Sequence, residues 1–217
     1  MRTARDQSIE LPPMLWVGGS PCSGKSTIVE ALCSRYGMAA YHCDGHWERH
    51  VRMAERSLQP LMHRQREMSW DQIWMRDVSV QVEDELAIYR EEFPMILDDL
   101  ARMPPGRPVV AEGAALLPEL VAPLLSDAHQ AIWIVPAEEF QRQAYRQRGP
   151  WVQQILSECT NPQAAWENWM ARDAAFARRI ANQAISRRLA LICVDGQRTV
   201  DQVSAQVEAW LAPYLRQ

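Results

Sequence analysis

A chain of 217 residues, 47% of them apolar, is long enough for one sizeable α/β domain with its own core. No apolar run reaches the roughly 18 residues of a membrane-spanning helix, which argues against a membrane partner. A net charge of -4 argues against a dedicated nucleic-acid binder, and five scattered cysteines without a C-x-x-C pair argue against disulfides or zinc and for a reducing compartment, the cytoplasm.

Residues 1–13 are polar, end in two prolines and lack the apolar stretch of a signal peptide. They are expected to form an N-terminal arm ahead of a single domain over 14–217. Short apolar runs at 14–17, 39–43, 109–111, 131–135 and 190–194 alternate with longer helical stretches. That alternation predicts an α/β fold in three layers, a five-stranded mostly parallel sheet with helices on both faces. Helix starts are signalled between the strands. Ser69 with Gln72 and Thr199 with Gln202 fit capping boxes, and Asn161 before Pro162 reads as an N-cap followed by proline at the first helical position. Pro136, Glu138 and Glu139 place a rigid start and negative charge at another helix N-terminus. Residues 45–74, rich in His, Arg, Met and Trp, form an insertion ahead of an acidic helix over 77–99. Together, 45–100 are expected to be a helical region on the acceptor side.

Residues 14–27 read MLWVGGSPCSGKST. Gly19-Ser20-Pro21-Cys22-Ser23-Gly24-Lys25-Ser26 matches G-x-x-x-x-G-K-[ST], with an apolar strand before it and an amphipathic helix, opening at Thr27, after it. Such a loop curls its backbone N–H groups around phosphates at a helix N-terminus. Lys25 supplies a mobile ammonium to the β- and γ-phosphates, and the Ser26 hydroxyl is the candidate Mg²⁺ ligand. Of the 23 basic residues Lys25 is the one lysine; the rest are arginine. Cys22 lies where a thiol pKa could be lowered, but it reads more simply as a small loop residue.

Ligands of a parallel α/β sheet sit beyond the carboxyl ends of the strands. Asp44, after the second run, is therefore the candidate to accept the proton of an acceptor hydroxyl or to hold Mg²⁺ through water, with a turn or cap role as the alternative. Glu112 and Gly113, after the third run, are candidates for binding the acceptor, or in the case of Glu112 for a place behind Mg²⁺, with a salt bridge from Glu112 to an arginine as the alternative. His42, His46 and His50 are spaced four apart, but His42 belongs to the strand, which breaks a common metal-binding face. Trp47, Trp70 and Trp74 suit either an aromatic wall for a planar acceptor or ordinary core. Residues 137–188, arginine-rich, are expected to hold a lid and the helix that follows it. Arg146 and Arg148 would reach ATP, Arg148 would act in catalysis and Arg172 would reach the acceptor, with a hinge at Gly149-Pro150.

Together these pieces resemble the P-loop kinases that include the nucleoside monophosphate, shikimate, gluconate and chloramphenicol phosphotransferases. The order matches over most of the chain: loop, aspartate after strand two, Glu-Gly after strand three, arginine-bearing lid, and Asp195-Gly196 after the last strand. The resemblance implies the sheet order 2-3-1-4-5, Asp44 as catalytic base, and an adenine contact near Gly196, Gln197 and Arg198. The sequence departs from it in lacking the shikimate-kinase D-x-D, in having no apolar run that ends in a Walker-B aspartate, and in the 45–74 insertion. The function expected is an ATP- and Mg²⁺-dependent kinase of a small acceptor such as a nucleoside, nucleotide, alcohol or antibiotic. A polynucleotide-end kinase and a non-catalytic NTP-binding switch are the alternatives.

Overall fold

The computed structural model describes residues 11–215. Its elements run, in chain order, β1 (Met14–Gly19), α1 (Lys25–Tyr36), β2 (Ala39–His42), α2 (Cys43–Met53), α3 (Pro60–Gln65), α4 (Trp70–Trp74), α5 (Val78–Ala101), β3 (Val109–Gly113), α6 (Pro118–Val121), β4 (Ala131–Pro136), α7 (Glu138–Arg146), α8 (Pro150–Ser157), α9 (Pro162–Ser186), β5 (Ala190–Val194) and α10 (Val200–Leu211). Two short 3-10 turns precede β4 and a third lies near the end of the described chain.

The five strands form one sheet in the order β2-β3-β1-β4-β5, every pair parallel. This is the α/β architecture and the sheet order that the resemblance implies. β1, β3 and β4 are buried along their whole length, as central strands covered on both faces must be. Strand residues alternate faces. Met14 and Trp16 therefore join Trp133, Phe93 and Phe176 in one core under α5 and α9, while Leu15 and Val17 join Ile28, Leu32, Val207 and Leu211 in a second core under α1 and α10. Trp16 and Trp133 are among the largest fully buried side chains. Trp133 satisfies its indole N–H on the Leu116 carbonyl at 2.8 Å, which lets so large a polar-tipped ring sit in the core. Of the N-terminal arm, residues 11–13 are described: Leu11 packs on the first core, and the Pro13 carbonyl accepts from the Val109 N–H at 2.9 Å. The rest of the arm lies outside the described residues.

Several boundaries differ from the sequence expectation: α1 opens at Lys25 and not at Thr27, β4 runs on to Pro136, and three strand ends shape the site. β1 runs two residues further, because Gly18 and Gly19 remain in register with Trp133 and Ile134 of β4. β3 likewise continues through Glu112 and Gly113. β2 stops at His42 rather than at 43, since Cys43 already opens α2. Strand passes to helix with no loop between them, which places Asp44 in the first turn of that helix. The capping boxes at Ser69 and Thr199 and the Asn161 N-cap are formed as the sequence indicates.

Candidate active site

The glycines that open and close the loop do different work. A Cβ on Gly19 would lie 1.9 Å from the Ile134 carbonyl oxygen, so only a residue without one lets β1 pass β4 this closely. Gly24 is left-handed, with φ of 82°, and stands at the N-cap of α1 without a capping side chain. The first turn of α1 also contains no acidic residue. The donor end of a twelve-residue helix is thus left for an external anion. Cys22 between them is left-handed too, with φ of 64°, a conformation that costs a non-glycine residue about 1 kcal/mol.

Lys25 begins that helix and is 7% exposed. Its ammonium donates to the Ser20 carbonyl at 2.7 Å and to Ser23 Oγ at 3.3 Å, so the loop itself holds it in position. Burial lowers its pKa. Glu112 and Asp44 oppose that shift, and Arg148 adds to it. One ammonium therefore feels three of the charged groups that the sequence singles out, Glu112 of β3, Asp44 of α2 and Arg148 after α7. Next to it, Ser26 Oγ donates to Glu112 Oε1 at 3.0 Å, and the same carboxylate oxygen is hydrogen-bonded to His42 Nδ1 at 2.7 Å. A buried carboxylate held against the loop hydroxyl offers the hard oxygen donors that Mg²⁺ takes. Glu112 and Gly113 thus stand on the Ser26 side of the site, and neither lines the cavity described next.

Asp44, exposed in the first turn of α2, lines with Pro21 of the loop a cavity of about 340 Å³. The size suits a small organic molecule. Its far wall is the 45–74 insertion: Trp47 from α2, Leu61 and Arg64 from α3, Trp70 and Trp74 from α4. α5 contributes Gln81, Glu85 and Tyr89, while Trp151 of α8 and Trp169 of α9 close the side. Trp74 and Trp169 stack with ring centroids 4.3 Å apart. The insertion whose purpose composition leaves open is therefore a wall, built of three short helices.

The arginines of the expected lid separate into three situations. Arg148, exposed, lies 5.3 Å from the Tyr145 ring centroid and 5.9 Å from that of Trp151, and among the described residues it forms no salt bridge. It sits just before Gly149, whose φ is 96°. Arg146, also exposed, lines a separate groove with Leu156 and Trp166, away from the loop. Arg172 is not on a mobile segment. It stands on α9, a 25-residue helix whose Phe176 and Ile180 are buried in the core, and pairs at 2.5 Å with both Glu85 and Asp173. Its guanidinium also lies 4.9 Å from the Trp74 ring centroid, so it lines the cavity as a fixed post. At the carboxyl end of β5, Gly196 adopts φ of 87° beside Phe140. Gln197 N–H donates to Asp195 Oδ1 at 3.0 Å, and Arg198 donates to the Cys193 carbonyl and to Gln206.

The Cys22 thiol is not activated. Burial raises its pKa to about 11 against the opposing pull of Arg148, so it is a neutral thiol at physiological pH. His42 stands apart from the other two histidines of the run, whereas His46 and His50 both meet Arg49 and Asp99. His42 faces Glu112, His46 stacks on Tyr41 at 4.4 Å, and His50 is buried between Glu92 and Asp99, 2.9 Å from each. Burial lowers the His50 pKa, but its two carboxylates outweigh that and raise it overall.

Composition and spacing did not single out Gln81, Glu85, Tyr89 and Glu92. A signal was available, because 81, 85, 89 and 92 recur at helical spacing and put polar groups on the buried face of α5. Burial raises the Glu85 pKa to about 7, with Arg172 opposing, and burial also raises that of Glu92.

No protein-family model and no curated protein matches the chain. Solved kinase structures are similar to it. A gluconokinase from Sinorhizobium meliloti 1021 is 15% identical, covers 94% of this chain and 94% of its own, and has a TM-score of 0.45. A shikimate kinase from Acinetobacter baumannii, in complex with shikimate, is 12% identical over 97% of this chain and 99% of its own, with a TM-score of 0.43. A shikimate kinase from Aquifex aeolicus vf5 is 13% identical over 92% and 96%, with a TM-score of 0.36. Among the described residues no helix is long and apolar enough to cross a membrane.

Proposed function

We propose that the chain is an ATP-dependent phosphotransferase that moves the γ-phosphoryl of ATP to a hydroxyl of a small molecule held in the cavity. The observation that carries this is the shared carboxylate. Asp44 lines the cavity together with Pro21 of the loop, and its charge is felt by the buried Lys25 at the start of the uncapped loop helix, which supports a phosphate and an acceptor meeting there. In the reaction the acceptor oxygen bonds to Pγ, the bond from Pγ to the bridging oxygen breaks, ADP leaves, and the hydroxyl proton passes to Asp44.

Ser26 and Glu112 would hold Mg²⁺, which when bound neutralises charge on the phosphate oxygens. Lys25 would exchange its bond to the Ser20 carbonyl for the β- and γ-oxygens. Arg148 would swing from Tyr145 and Trp151 onto the phosphates, since no carboxylate among the described residues holds it back. Against a polynucleotide substrate stands the size of the cavity, about 340 Å³, which suits a small molecule. Against a pure switch stands the acceptor space itself.

The direct test incubates the protein with γ-labelled ATP, Mg²⁺ and panels of alcohols and phosphate acceptors. Label moved to an acceptor supports the proposal, whereas label released only as free phosphate points to a switch or a hydrolase. A second expectation concerns Arg148→Ala. The variant should raise the ATP concentration needed for half-maximal rate and lower turnover, each by roughly tenfold, because a lid arginine meets the phosphates in the closed state. Unchanged kinetics at limiting and saturating ATP would place Arg148 outside the mechanism.

A further inference from the structure

The helix that carries Asp44 is held to the fold by charge as well as by apolar surface. α2 buries two side chains, Cys43 and His50. Trp47 and Val51 pack half-buried against Met62 and Ile88. The remaining contact with α5 is polar. His50, 1% exposed, lies between two carboxylates of that helix, with Nδ1 2.9 Å from Glu92 Oε1 and Nε2 2.9 Å from Asp99 Oδ2. Glu92 and Asp99 stand about two turns apart on one face of α5, and the ring spans them. Asp99 Oδ2 also accepts from Tyr41 of β2 at 2.8 Å and from Arg49, and His46 Nδ1 lies 3.8 Å from it.

This geometry requires a proton. A neutral imidazole carries one N–H, and an ionised carboxylate only accepts. Two ring nitrogens, each against a carboxylate oxygen, therefore need a second proton between them. Asp99 does not carry it: burial pushes its pKa up, but the bonds from Arg49, Tyr41 and His50 outweigh burial and hold it low. The proton belongs to the His50–Glu92 pair. Arg49 Nη2, 3.4 Å from Nε2, is no substitute, because the 2.9 Å approach to Asp99 remains. His46, whose pKa burial lowers, adds no charge at neutral pH, and Asp44 adds a negative charge that is felt at Glu92. Once the shared proton leaves, Glu92 and Asp99 face Arg49 alone and a ring lone pair meets a carboxylate inside the protein. Burial lowers the His50 pKa and the two carboxylates raise it further, so the bridge contributes fully below pH 6.5 and is lost as pH rises through the higher folded value.

We propose that His50 is a positioning residue: the proton it shares with Glu92 locks α2 to α5 and so holds Asp44, at the start of the same helix, and Trp47 at the acceptor cavity. Cys43, buried at the end of β2, fixes where α2 begins, and His50 fixes the direction in which it runs. Asp44, Trp47 and Glu92 all line the cavity, so the same proton bears on the acceptor wall. The bearing on catalysis rests on the proposed role of Asp44, whereas the lock itself does not.

Two measurements test the lock without ATP or acceptor. In proton–carbon NMR of the histidine rings, with His50 assigned by the signal lost in His50→Gln, the His50 ring should titrate with a midpoint above pH 6.5. Hydrogen exchange read by mass spectrometry should show α2 losing roughly tenfold or more of its protection as pH rises through that midpoint, the loss of one buried charged hydrogen bond, while α10 in the second core holds within about twofold. Glu92→Gln is the decisive variant. Its amide N–H can donate to a neutral Nδ1 while the Nε2–H donates to Asp99, so α2 should stay protected at alkaline pH although a carboxylate is gone, and the His50 midpoint should fall. His50→Gln should weaken protection of α2 at every pH; if it does not fold, the wild type and Glu92→Gln decide. Flat wild-type protection of α2 across the His50 titration, a midpoint at or below pH 6.5, or alkaline loss retained in Glu92→Gln overturns the inference. Label transfer from γ-labelled ATP, measured separately, tests the kinase proposal. A lock without transfer would sink that proposal and leave His50 holding α2, whereas transfer without the lock would sink the inference alone.

Discussion

Replacing Asp44 with asparagine should lower turnover roughly a hundredfold or more, close to 3 kcal/mol of transition-state stabilisation, while leaving ATP affinity nearly unchanged. The carboxylate sits at the junction of cavity and loop and contributes to the field at Lys25, so it is placed to receive a proton from an acceptor hydroxyl. Asparagine keeps the size and the polarity suited to the first turn of α2 but cannot take that proton. Turnover under saturating ATP and acceptor, with ATP affinity measured by calorimetry, separates the outcomes. A parallel fall in binding and turnover would assign Asp44 to holding the metal or capping the helix.

Lys25→Met should lower kcat/KM for ATP by roughly a hundredfold or more, the scale of losing one electrostatic partner of the transition state. Lys25→Arg should fare little better, although arginine serves at every other basic position. A planar fork cannot occupy the buried slot between the Ser20 carbonyl and Ser23 Oγ that a single ammonium fills. Stability should move the other way. A base whose folded pKa lies below its unfolded value penalises the fold at every pH where it is protonated, and the penalty fades as pH rises through the folded pKa toward 10.5. Lys25→Met without nucleotide should therefore unfold near neutral pH at the wild-type temperature or above it. A variant that turns over normally, or one that loses activity only because it melts early, would refute the assignment of the lysine to phosphate.

The fold was legible because its signals are local. Apolar runs mark the strands, Gly24 and Lys25 mark the loop, and the capping pairs at Ser69 and Thr199 mark helix starts, all within a few residues of chain. Glu112 and Asp44 could be placed near the loop because parallel strands deliver their carboxyl ends to one edge. The acceptor cavity was not legible in the same way. Its wall unites α2, α3, α4, α5, α8 and α9, and the meaning of each residue depends on a partner far along the chain. Arg172 is an example. Its place among arginines suggested a moving lid, yet Glu85, 87 positions earlier, fixes it. Arg146 and Arg148, two residues apart, face different surfaces, which spacing without the α7 C-terminus could not decide.

The close passage at Gly19 ties two properties that selection could otherwise adjust separately. The residue that starts the phosphate loop is also the last residue of the central strand, and its missing Cβ is what admits the Ile134 carbonyl. The Ser20 N–H continues that contact with the same carbonyl at 3.2 Å. Substitutions there cannot retune anion affinity while sparing the sheet, so drift at this position is filtered by folding before catalysis is ever tested. The cavity wall divides on this point: α5 and α9 also carry Phe93, Phe176 and Ile180 of the first core, whereas the short helices α3 and α4 carry no residue of it. Under the proposed function, divergence toward new acceptors would fall on those short helices, with the loop end held by the mechanics of the core.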